Sequence, residues 1–323
     1  MPDRMNENTA QALTQLPVES VLRDELAHGD ALLGTIAPIL RHLLANDDHS
    51  LFSDEIIARV RGMMDHVARQ LLDALSVAGG HDGDGEHPGE QRDMLIEAFV
   101  AHPGLLAHVH ALALEWQLSE RLAARLSLDP VLSPLLQALI ASPDSGMAAA
   151  AMGLLASQAR FAQCQRRMQL PLAELPGDLL HAAIRTLHVA AGDRADLAAT
   201  AGAAIRAEYA EGRSRLGLIA RVITGMGAGA TAALSVTHGG VAMFLSAMAL
   251  ASGQERDLAV LATNEGQLAR LALALRASGM KPQTVEEQFV SIHPDVSLPE
   301  GFDQLGSDRA AALLARSAAV AGA

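Results

Sequence analysis

Two histidines in the first quarter of the chain carry the imidazole that a phosphotransfer protein needs to accept a phosphoryl group. His42 lies in LRHLLAND and His66 in MMDHVARQ, each within a pattern that predicts an amphipathic helix. An accessible histidine on a rigid helical bundle suits this chemistry. Neither segment resembles the motifs of histidine kinases or phosphotransfer domains. Phosphotransfer by His42 or His66 is therefore the third of three hypotheses for this chain.

The other nucleophilic side chains are Cys164 and Ser214. Three nearby arginines, Arg160, Arg166 and Arg167, could lower the pKa of the Cys164 thiol, but a lone cysteine on an apolar helix is more typical of an inert core residue. Ser214, in EGRSRLG, lacks the glycine that a nucleophile elbow places two residues after the serine. No catalytic residue is predicted. The single cysteine also fits a reducing compartment, since it allows no internal disulfide.

The remaining histidines lack the spacing of metal ligands. His102, His108 and His110 cluster in the sequence, but the two-residue step from His108 to His110 puts those rings on different helix faces. His181 and His188 lie two turns apart on one face. All of them are predicted to be polar edge residues rather than ligands of a metal.

The segment GGHDGDGEHPGE, residues 79–90, brings Asp82, Asp84 and Glu86 together in the manner of a calcium loop. A calcium loop beginning at Asp82 needs a glycine where His87 stands and a glutamate where Asp93 stands. Both positions fail, so no metal site is predicted. The glycine-rich, charged composition instead predicts a flexible acidic linker.

Gly225, Gly227 and Ala230 match the spacing of a dinucleotide-binding loop, in which glycines let a pyrophosphate approach the backbone. Such a site also needs an acidic residue about 20 positions further on. None occurs between Arg221 and Glu255, and the sequence offers no strands for a parallel sheet. No cofactor is therefore predicted.

The same stretch, Ala220 to Phe244, raises the question of a membrane span. The polar and flexible THGG at Thr237 to Gly240 divides it, and the apolar run that follows is shorter than the roughly 20 residues of a span. Small residues instead allow helices to approach closely, with GMGAG and HGG at helix ends or turns. This interpretation predicts no membrane span, the densest part of the core here, and His238 at a turn or helix start.

Composition favours helices and argues against one class of partner. The 323 residues are 50% apolar but only 2% aromatic, because alanine and leucine dominate, and this balance favours helix over strand. A formal net charge of -13 argues against a nucleic-acid partner, which would need a basic face. The polar N-terminal sequence lacks the apolar stretch of a signal peptide and predicts a cytoplasmic location.

Two amphipathic helices are predicted to form an antiparallel hairpin over residues 18–78. The first runs from about Val21 to Ala45, and Pro38 should kink or split it; the second begins after Ser53, an N-cap. Both carry heptad-like apolar residues: Leu22, Leu26, Leu33, Ile36, Leu40 and Leu43, then Ile57, Val60, Met64, Val67, Leu71 and Ala74. Their partner is either the rest of the chain or a second subunit, which would make a homodimer.

The rest of the chain is predicted to continue as a stacked, repeat-like array of helices. Residues 1–17 are predicted to be a disordered N-terminus, and 79–90 to link the hairpin to a helical domain, 91–192, which a C-terminal helical domain, 193–323, follows. Thr284 and Glu287 predict a capping box, and the segment from Ser307 predicts a final helix. Interspersed acidic residues predict that five arginines form a solvated face: Arg194, Arg206, Arg213, Arg215 and Arg221.

A family resemblance lies in the segment GAGATAALSVTHGGVAMFLSAMALASGQERDLAVLATNEGQLARLALALRASGMKP, from Gly227 through Pro282. Here a glycine precedes a bulky apolar pair and a small-residue helix, and the segment closes on an apolar helix with an Ala-Gly-like step. The residues at these places are Gly240, Met243, Phe244, Ala247, Ala249, Leu275, Ala277 and Gly279. The pattern resembles a bacterial family known only as domain of unknown function 2336, although Met243 stands where an aromatic is expected. The resemblance implies an all-helical, repeat-like fold and supplies no activity.

Together these observations predict an all-α, noncatalytic protein. The first hypothesis is a protein-interaction or adaptor role in bacterial regulation, in which helical surfaces bind a protein partner. The alternative is a helical regulator that binds a small apolar ligand between its alanine-rich helices. The identity of either partner or ligand lies beyond the sequence.

Overall fold

The computed structural model describes residues 17–45, 54–81 and 89–321, and these residues form helices with no strand among them. The predicted all-α class is confirmed. The helices are α1 (Pro17–Ala45), α2 (Asp54–Ala78), α3 (Gly89–Ala101), α4 (Pro103–Leu126), α5 (Pro134–Ile140), α6 (Ser145–Arg166), α7 (Gly177–Ala190), α8 (Ala195–Glu208), α9 (Arg215–Gly225), α10 (Val236–Ser252), α11 (Arg256–Leu261), α12 (Leu268–Ala277), α13 (Pro282–Ile292) and α14 (Ser307–Ala321).

Short 3₁₀ segments connect several of these helices: Leu172–Glu174, Gly192–Arg194, Glu211–Arg213, Gly227–Leu234, Glu265–Gln267 and Phe302–Gln304. Three parts of the sequence interpretation lie outside the described residues, namely residues 1–16, the N-cap Ser53 and residues 82–88 of the linker. Gly89 and Glu90, which were predicted to belong to that linker, begin α3 instead. The hairpin and the repeat-like array stay predictions.

The chain divides into two compact units. The terminal unit contains the described residues of Met1–Ile36 and Phe244–Ala323, together with Leu234–Val236. The middle unit contains the described residues of Ala37–Ala233, together with Thr237–Met243.

Helix α2 supplies the centre of the middle unit's core. Val60, Met63, Met64 and Val67 are 0% exposed, and α2 packs against α3, α4 and α8. Burial of side chains at this spacing is what the heptad-like pattern predicts for one face of a helix. The partner of this face is therefore supplied, within the described residues, by other helices of the same chain.

In the terminal unit, ion pairs with at least one buried partner join the first half of α1 to the C-terminal helices. Both carboxylate oxygens of Glu19 accept hydrogen bonds from Arg309, each at 3.1 Å. Asp30 pairs with the guanidinium of Arg270, which is 2% exposed. These ion pairs bridge residues 290 and 240 positions apart in the sequence, so the pattern of α1 alone does not reveal them.

The capping prediction is wrong, and the prediction for Pro38 is wrong in one of its two alternatives. Pro38 does not split α1, which continues to Ala45, since a proline removes only one hydrogen bond of the ladder and the neighbouring turns keep theirs. The other alternative, a kink at Pro38, stays a prediction. Thr284 and Glu287 do not cap a helix, because α13 already begins at Pro282. Proline at the first position of a helix is the stronger start signal, since it needs no partner for a missing N–H.

The glycine-rich stretch confirms the prediction of helix ends and close approach. Helix α9 ends at Gly225, and Gly240 interrupts α10 with φ 72° and ψ 164°. A Cβ on Gly239 would lie 2.7 Å from the carbonyl oxygen of Ala233, so only glycine fits there. The predicted dense core is found in α10 after Gly240, whereas Gly225, Gly227, Ala228 and Gly229 are exposed.

In the part of the chain that is described, no single helix combines the length and apolar character needed to cross a bilayer. Two bent helix pairs meet that test only when their members are taken together, Gly89–Ala101 with Pro103–Leu126 and Arg215–Gly225 with Gly227–Leu234.

Candidate functional site

A cleft of about 530 Å³ lies in the middle unit, beside the C-terminal half of α6. The segment that follows α6, the end of α8 and the 3₁₀ turn before α9 form its other walls. Its volume falls in the range of small-molecule sites. The lining residues are Leu112, Arg160, Phe161, Gln163, Cys164, Gln165, Arg167, Gln169, Leu170, Pro171, Ala173, Glu174, Glu208, Ala210, Arg213, Ser214, Arg215 and Leu216.

A buried ion pair forms one end of the cleft. Arg215 is 2% exposed, and its two terminal nitrogens donate to the two carboxylate oxygens of Glu115 at 2.7 and 2.9 Å. Gln158 Oε1 accepts a further hydrogen bond from Arg215 at 3.1 Å, and the guanidinium carbon lies 3.6 Å from the ring centre of Phe161. This bidentate geometry, with a third acceptor and an aromatic face, holds the charge of Arg215 in one fixed position.

The N-terminus of α9 is bound by a carboxylate within the same cleft. Glu174 Oε2 accepts a hydrogen bond from the backbone N–H of Arg215 at 2.7 Å. Ser214 Oγ caps the helix by accepting from Gly217 N at 3.1 Å, so Ser214 has a structural role here. Oriented backbone N–H groups and the helix dipole favour negative charge at this end.

Gly217 brings α9 against the 3₁₀ turn that forms one wall. A Cβ at this position would lie 2.3 Å from the carbonyl oxygen of Glu211 and 3.0 Å from Cα of Gly212. Both neighbours are backbone atoms, so no side-chain rotation could relieve the overlap. The wall that carries Ala210 and Arg213 can approach α9 this closely only because residue 217 is glycine.

Tyr209 fixes the start of the same wall. Its hydroxyl donates to the carbonyl oxygen of Leu175 at 2.8 Å. Burial, together with the neighbouring carboxylates of Glu211, Asp178 and Glu174, raises the pKa of Tyr209 to about 12. The hydroxyl therefore keeps its proton and its hydrogen bond at neutral pH.

Helix α2 holds the opposite wall, the segment after α6, through His66 and Gln70. The Nδ1 of His66 lies 2.9 Å from the carbonyl oxygen of Leu170, to which Gln70 Nε2 also donates at 2.9 Å. Gln70 Oε1 accepts from the backbone N–H of Leu172 at 3.0 Å. The structure thus gives His66 a position behind the wall of the cleft, while His42 lies exposed near the end of α1.

The turn at the end of α6 also rests on α2. Arg59 donates to the carbonyl oxygen of Gln165 at 2.5 Å, at the end of α6 where a positive charge is favourable. A Cβ on Gly62 would lie 2.6 Å from Cβ of Met168, a residue with a positive φ of 54°. A non-glycine residue with positive φ is held in place only by its surroundings.

Trp116 fills the space between this turn and the ion pair. It is 1% exposed, and the guanidinium carbons of Arg59 and Arg166 each lie 5.8 Å from its ring centre. Its ring meets that of Phe161 edge to face, with centres 6.2 Å apart. Trp116 thereby supports the ring of Phe161, which lines the cleft, since aromatic and cation–π contacts favour fixed ring positions.

Cys164 lies on the wall of the cleft but is not an activated thiol. Burial raises the pKa of Cys164, and the carboxylate of Glu174 raises it further, against smaller opposing effects of Arg167 and Arg160. The thiol is therefore protonated at neutral pH. The predicted inert cysteine agrees with this direction, although its side chain is only half-buried.

Three arginines at the mouth of the cleft are exposed: Arg160, Arg167 and Arg213. None of their guanidinium groups forms a hydrogen bond or ion pair with a residue that the structure describes. On the inner wall, Gln165 is 1% exposed; its Nε2 donates to Met63 Sδ at 3.3 Å, and its Oε1 accepts from no described group. The cleft thus offers unpaired donors at its mouth and an unpaired acceptor inside.

Arg215, His108 and His110 are buried, contrary to the sequence predictions for them. Arg215 does not belong to a solvated face with Arg194, Arg206, Arg213 and Arg221, because Glu115 neutralises it in the core. His108 and His110 are buried rather than polar edge residues, at 1% and 3% exposure. Their spacing misleads because α4 is buried on nearly all faces.

The other histidines considered as metal ligands lie on different helices or turns. His102 caps α4 by accepting from Leu105 N at 3.2 Å, His181 is exposed, and His188 is half-buried on α7. His238 lies exposed in the first turn of α10, as predicted. The described residues contain no group of three or more His, Cys, Asp or Glu side chains that could hold a metal ion. Asp82, Asp84, Glu86 and His87 lie outside those residues.

Sequence reasoning missed Glu174, which lines the cleft, and Glu115, which binds the cleft residue Arg215. One signal was present: Glu115 is a single carboxylate in the apolar run ALALEWQL, and a charge on such a helix needs a buried partner. Nothing in the sequence names that partner, since Arg215 lies 100 residues further on.

No protein-family model, curated protein or solved structure matches this chain. The resemblance to domain of unknown function 2336 therefore stays a prediction.

Proposed function

We propose that this chain is a noncatalytic helical protein that binds a small, largely apolar ligand in the cleft beside α6. The observation that carries the proposal is the cleft itself, about 530 Å³ in volume, enclosed by side chains that other contacts hold in place. Apolar groups cover much of its wall, among them Leu112, Phe161, Leu170, Pro171 and Leu216. Pockets of this size with mostly apolar walls and a few fixed polar groups are the usual form of a ligand site.

Support for binding rather than catalysis comes from the chemistry of the polar groups. The thiol of Cys164 is protonated, Arg215 is neutralised by Glu115, and Ser214 is committed to capping α9. These groups orient and enclose a ligand without offering an activated nucleophile.

The test uses N-phenyl-1-naphthylamine, a neutral dye that becomes fluorescent in apolar surroundings. The wild-type protein is expected to bind one dye molecule per chain with saturation. Ala210→Trp places an indole in the cleft and should abolish that binding, because Ala210 lines the wall and is exposed. Ala156→Trp is the matched control, since Ala156 is exposed on α6 outside the cleft.

Equal dye binding by Ala210→Trp and the wild type would contradict the proposal. Circular dichroism of both tryptophan variants shows whether either has lost its helices. The adaptor role, the homodimer, phosphotransfer by His42 or His66 and the cytoplasmic location stay predictions from the sequence.

A further inference from the structure

We infer that the ligand carries an anionic group next to its apolar body, and that Arg160, Arg167 and Arg213 bind that group at the mouth of the cleft. The inference rests on the proposed function, since it names the chemical class of the same ligand. Arg160 and Arg167 belong to the end of α6, and Arg213 belongs to the 3₁₀ turn before α9. Two separate elements thus bring three guanidinium groups to one opening.

The charges of the cleft favour an anion. Arg215 contributes no free charge because Glu115 binds it in a bidentate pair. The three remaining arginines face two carboxylates, Glu174 and Glu208. Of these, Glu174 is already engaged by the backbone N–H of Arg215 at 2.7 Å. The mouth therefore holds an excess of donors that have no acceptor within the described chain.

The Glu174 carboxylate already occupies the N-terminus of α9, so the anionic group of the ligand is left to the three arginines. The oxygen of Glu174 lies at the N-terminus of α9, an eleven-residue helix whose first N–H groups and dipole attract negative charge. Guanidinium groups bind carboxylate, sulfonate and phosphate alike, through charge-assisted hydrogen bonds of fixed geometry. The shared chemistry of the ligand is accordingly an oxyanion attached to an apolar body.

A matched pair of dyes tests the inference. 8-Anilinonaphthalene-1-sulfonate has the same ring system as N-phenyl-1-naphthylamine and differs from it by one sulfonate. At low ionic strength the sulfonate is expected to bind the wild type about tenfold more tightly than the neutral dye, and this preference should shrink as salt is added. Equal affinities of the two dyes would overturn the inference and leave the proposed function intact.

Substitution of the arginines locates the effect. Arg160→Gln, Arg167→Gln and Arg213→Gln should each weaken binding of the sulfonate about twofold, and the triple variant should bind both dyes equally. Affinity for the neutral dye should stay unchanged throughout. Arg185→Gln is the control, since Arg185 is an exposed arginine of α7 outside the cleft.

Each remaining result has a defined meaning. An unchanged sulfonate affinity in the triple variant overturns the inference, whatever the neutral dye does. Absence of saturable binding by both dyes, or binding that survives in Ala210→Trp, overturns the proposed function and the inference with it. All variants replace exposed side chains, so melting curves that match the wild type are expected for each.

Discussion

Among the described residues, the two most deeply buried arginines lie one in each compact unit, and their surroundings differ. Arg215 of the middle unit and Arg270 of the terminal unit are both 2% exposed. Glu115, the partner of Arg215, has a side chain that is 1% exposed, whereas the side chain of Asp30, the partner of Arg270, is 16% exposed. Arg215 is bound by both oxygens of one carboxylate, whereas Arg270 shares Asp30 with the hydroxyl of Ser317.

The two pairs show that a buried ion pair does not by itself mark a binding site. The Arg270 network joins α1 to α12 and α14, and burial lowers the pKa of Arg270 while Asp30 opposes that effect. The Arg215 pair adjoins a cleft whose mouth carries arginines without protein partners. Unpaired groups beside open space distinguish the candidate site from a network that only joins helices.

The largest expected loss of stability follows from removing the fully buried carboxylate of Glu115. Glu115→Gln removes the countercharge of Arg215 and leaves a buried cation, which costs about 3–5 kcal/mol of unfolding free energy. Urea denaturation of the middle unit followed by Trp116 fluorescence measures this change, because Trp116 is the only tryptophan. A loss below about 1 kcal/mol would mean that Glu115 does not fix Arg215.

The second prediction concerns pH. Burial lowers the pKa of His110 to about 4. Because the unfolded chain binds this proton near pH 6.5, the neutral ring stabilises the fold fully above that value. The contribution of His110 to the free energy of unfolding is lost as pH falls toward 4, and it is on the order of 3 kcal/mol.

Unfolding measured from pH 7 to 4 should therefore show a shallower loss of stability in His110→Gln than in the wild type. The slope is the readout, since the substitution also changes the absolute stability. Identical slopes would contradict the assignment to His110.

A smaller loss of stability is expected when a methyl group is added at Gly217, where α9 approaches the backbone of the cleft wall. Gly217→Ala puts a Cβ against the backbone of Glu211, and the overlap should cost about 1–3 kcal/mol. The variant should also weaken dye binding, because the displaced turn carries Ala210 and Arg213. Gly229→Ala is the control, since its Cβ would meet only Met226 Cβ at 4.0 Å. Equal stability of the two variants would show that the wall adjusts freely.

The smallest expected loss of stability is that of a substitution in the terminal unit, at Asp30. Asp30→Asn removes the charge opposite Arg270 but leaves an amide to bond Ser317, and the site is partly solvated, so about 1–2 kcal/mol is expected. Dye binding should not change. A loss equal to that of Glu115→Gln would remove the distinction drawn between the two pairs.

Local patterns in the sequence predicted the elements better than their tertiary partners. The spacing of Val60, Met64, Val67 and Leu71 identified the buried face of α2, and all four are 0% exposed. Close packing of glycines was also predictable, as Gly239 shows. These features depend on residues within a few turns of one another, where periodicity carries the information.

The cleft could not be predicted in the same way, because its parts come together only in the tertiary fold. Glu115 meets Arg215 across 100 residues, and Gln70 meets the backbone of Leu172 across 102. Arg213 and Arg215 are two residues apart, yet one is exposed and the other buried. The spacing of charges in the sequence predicted a solvated position for both arginines.

Native mass spectrometry of the gently purified protein shows directly whether the cleft binds a small ligand. Wild-type protein is expected to carry a noncovalent adduct of a few hundred daltons, the size of a drug-like ligand, and Ala210→Trp prepared in parallel should carry none. An adduct of the same mass and occupancy on both proteins, or its absence from both, would contradict the claim.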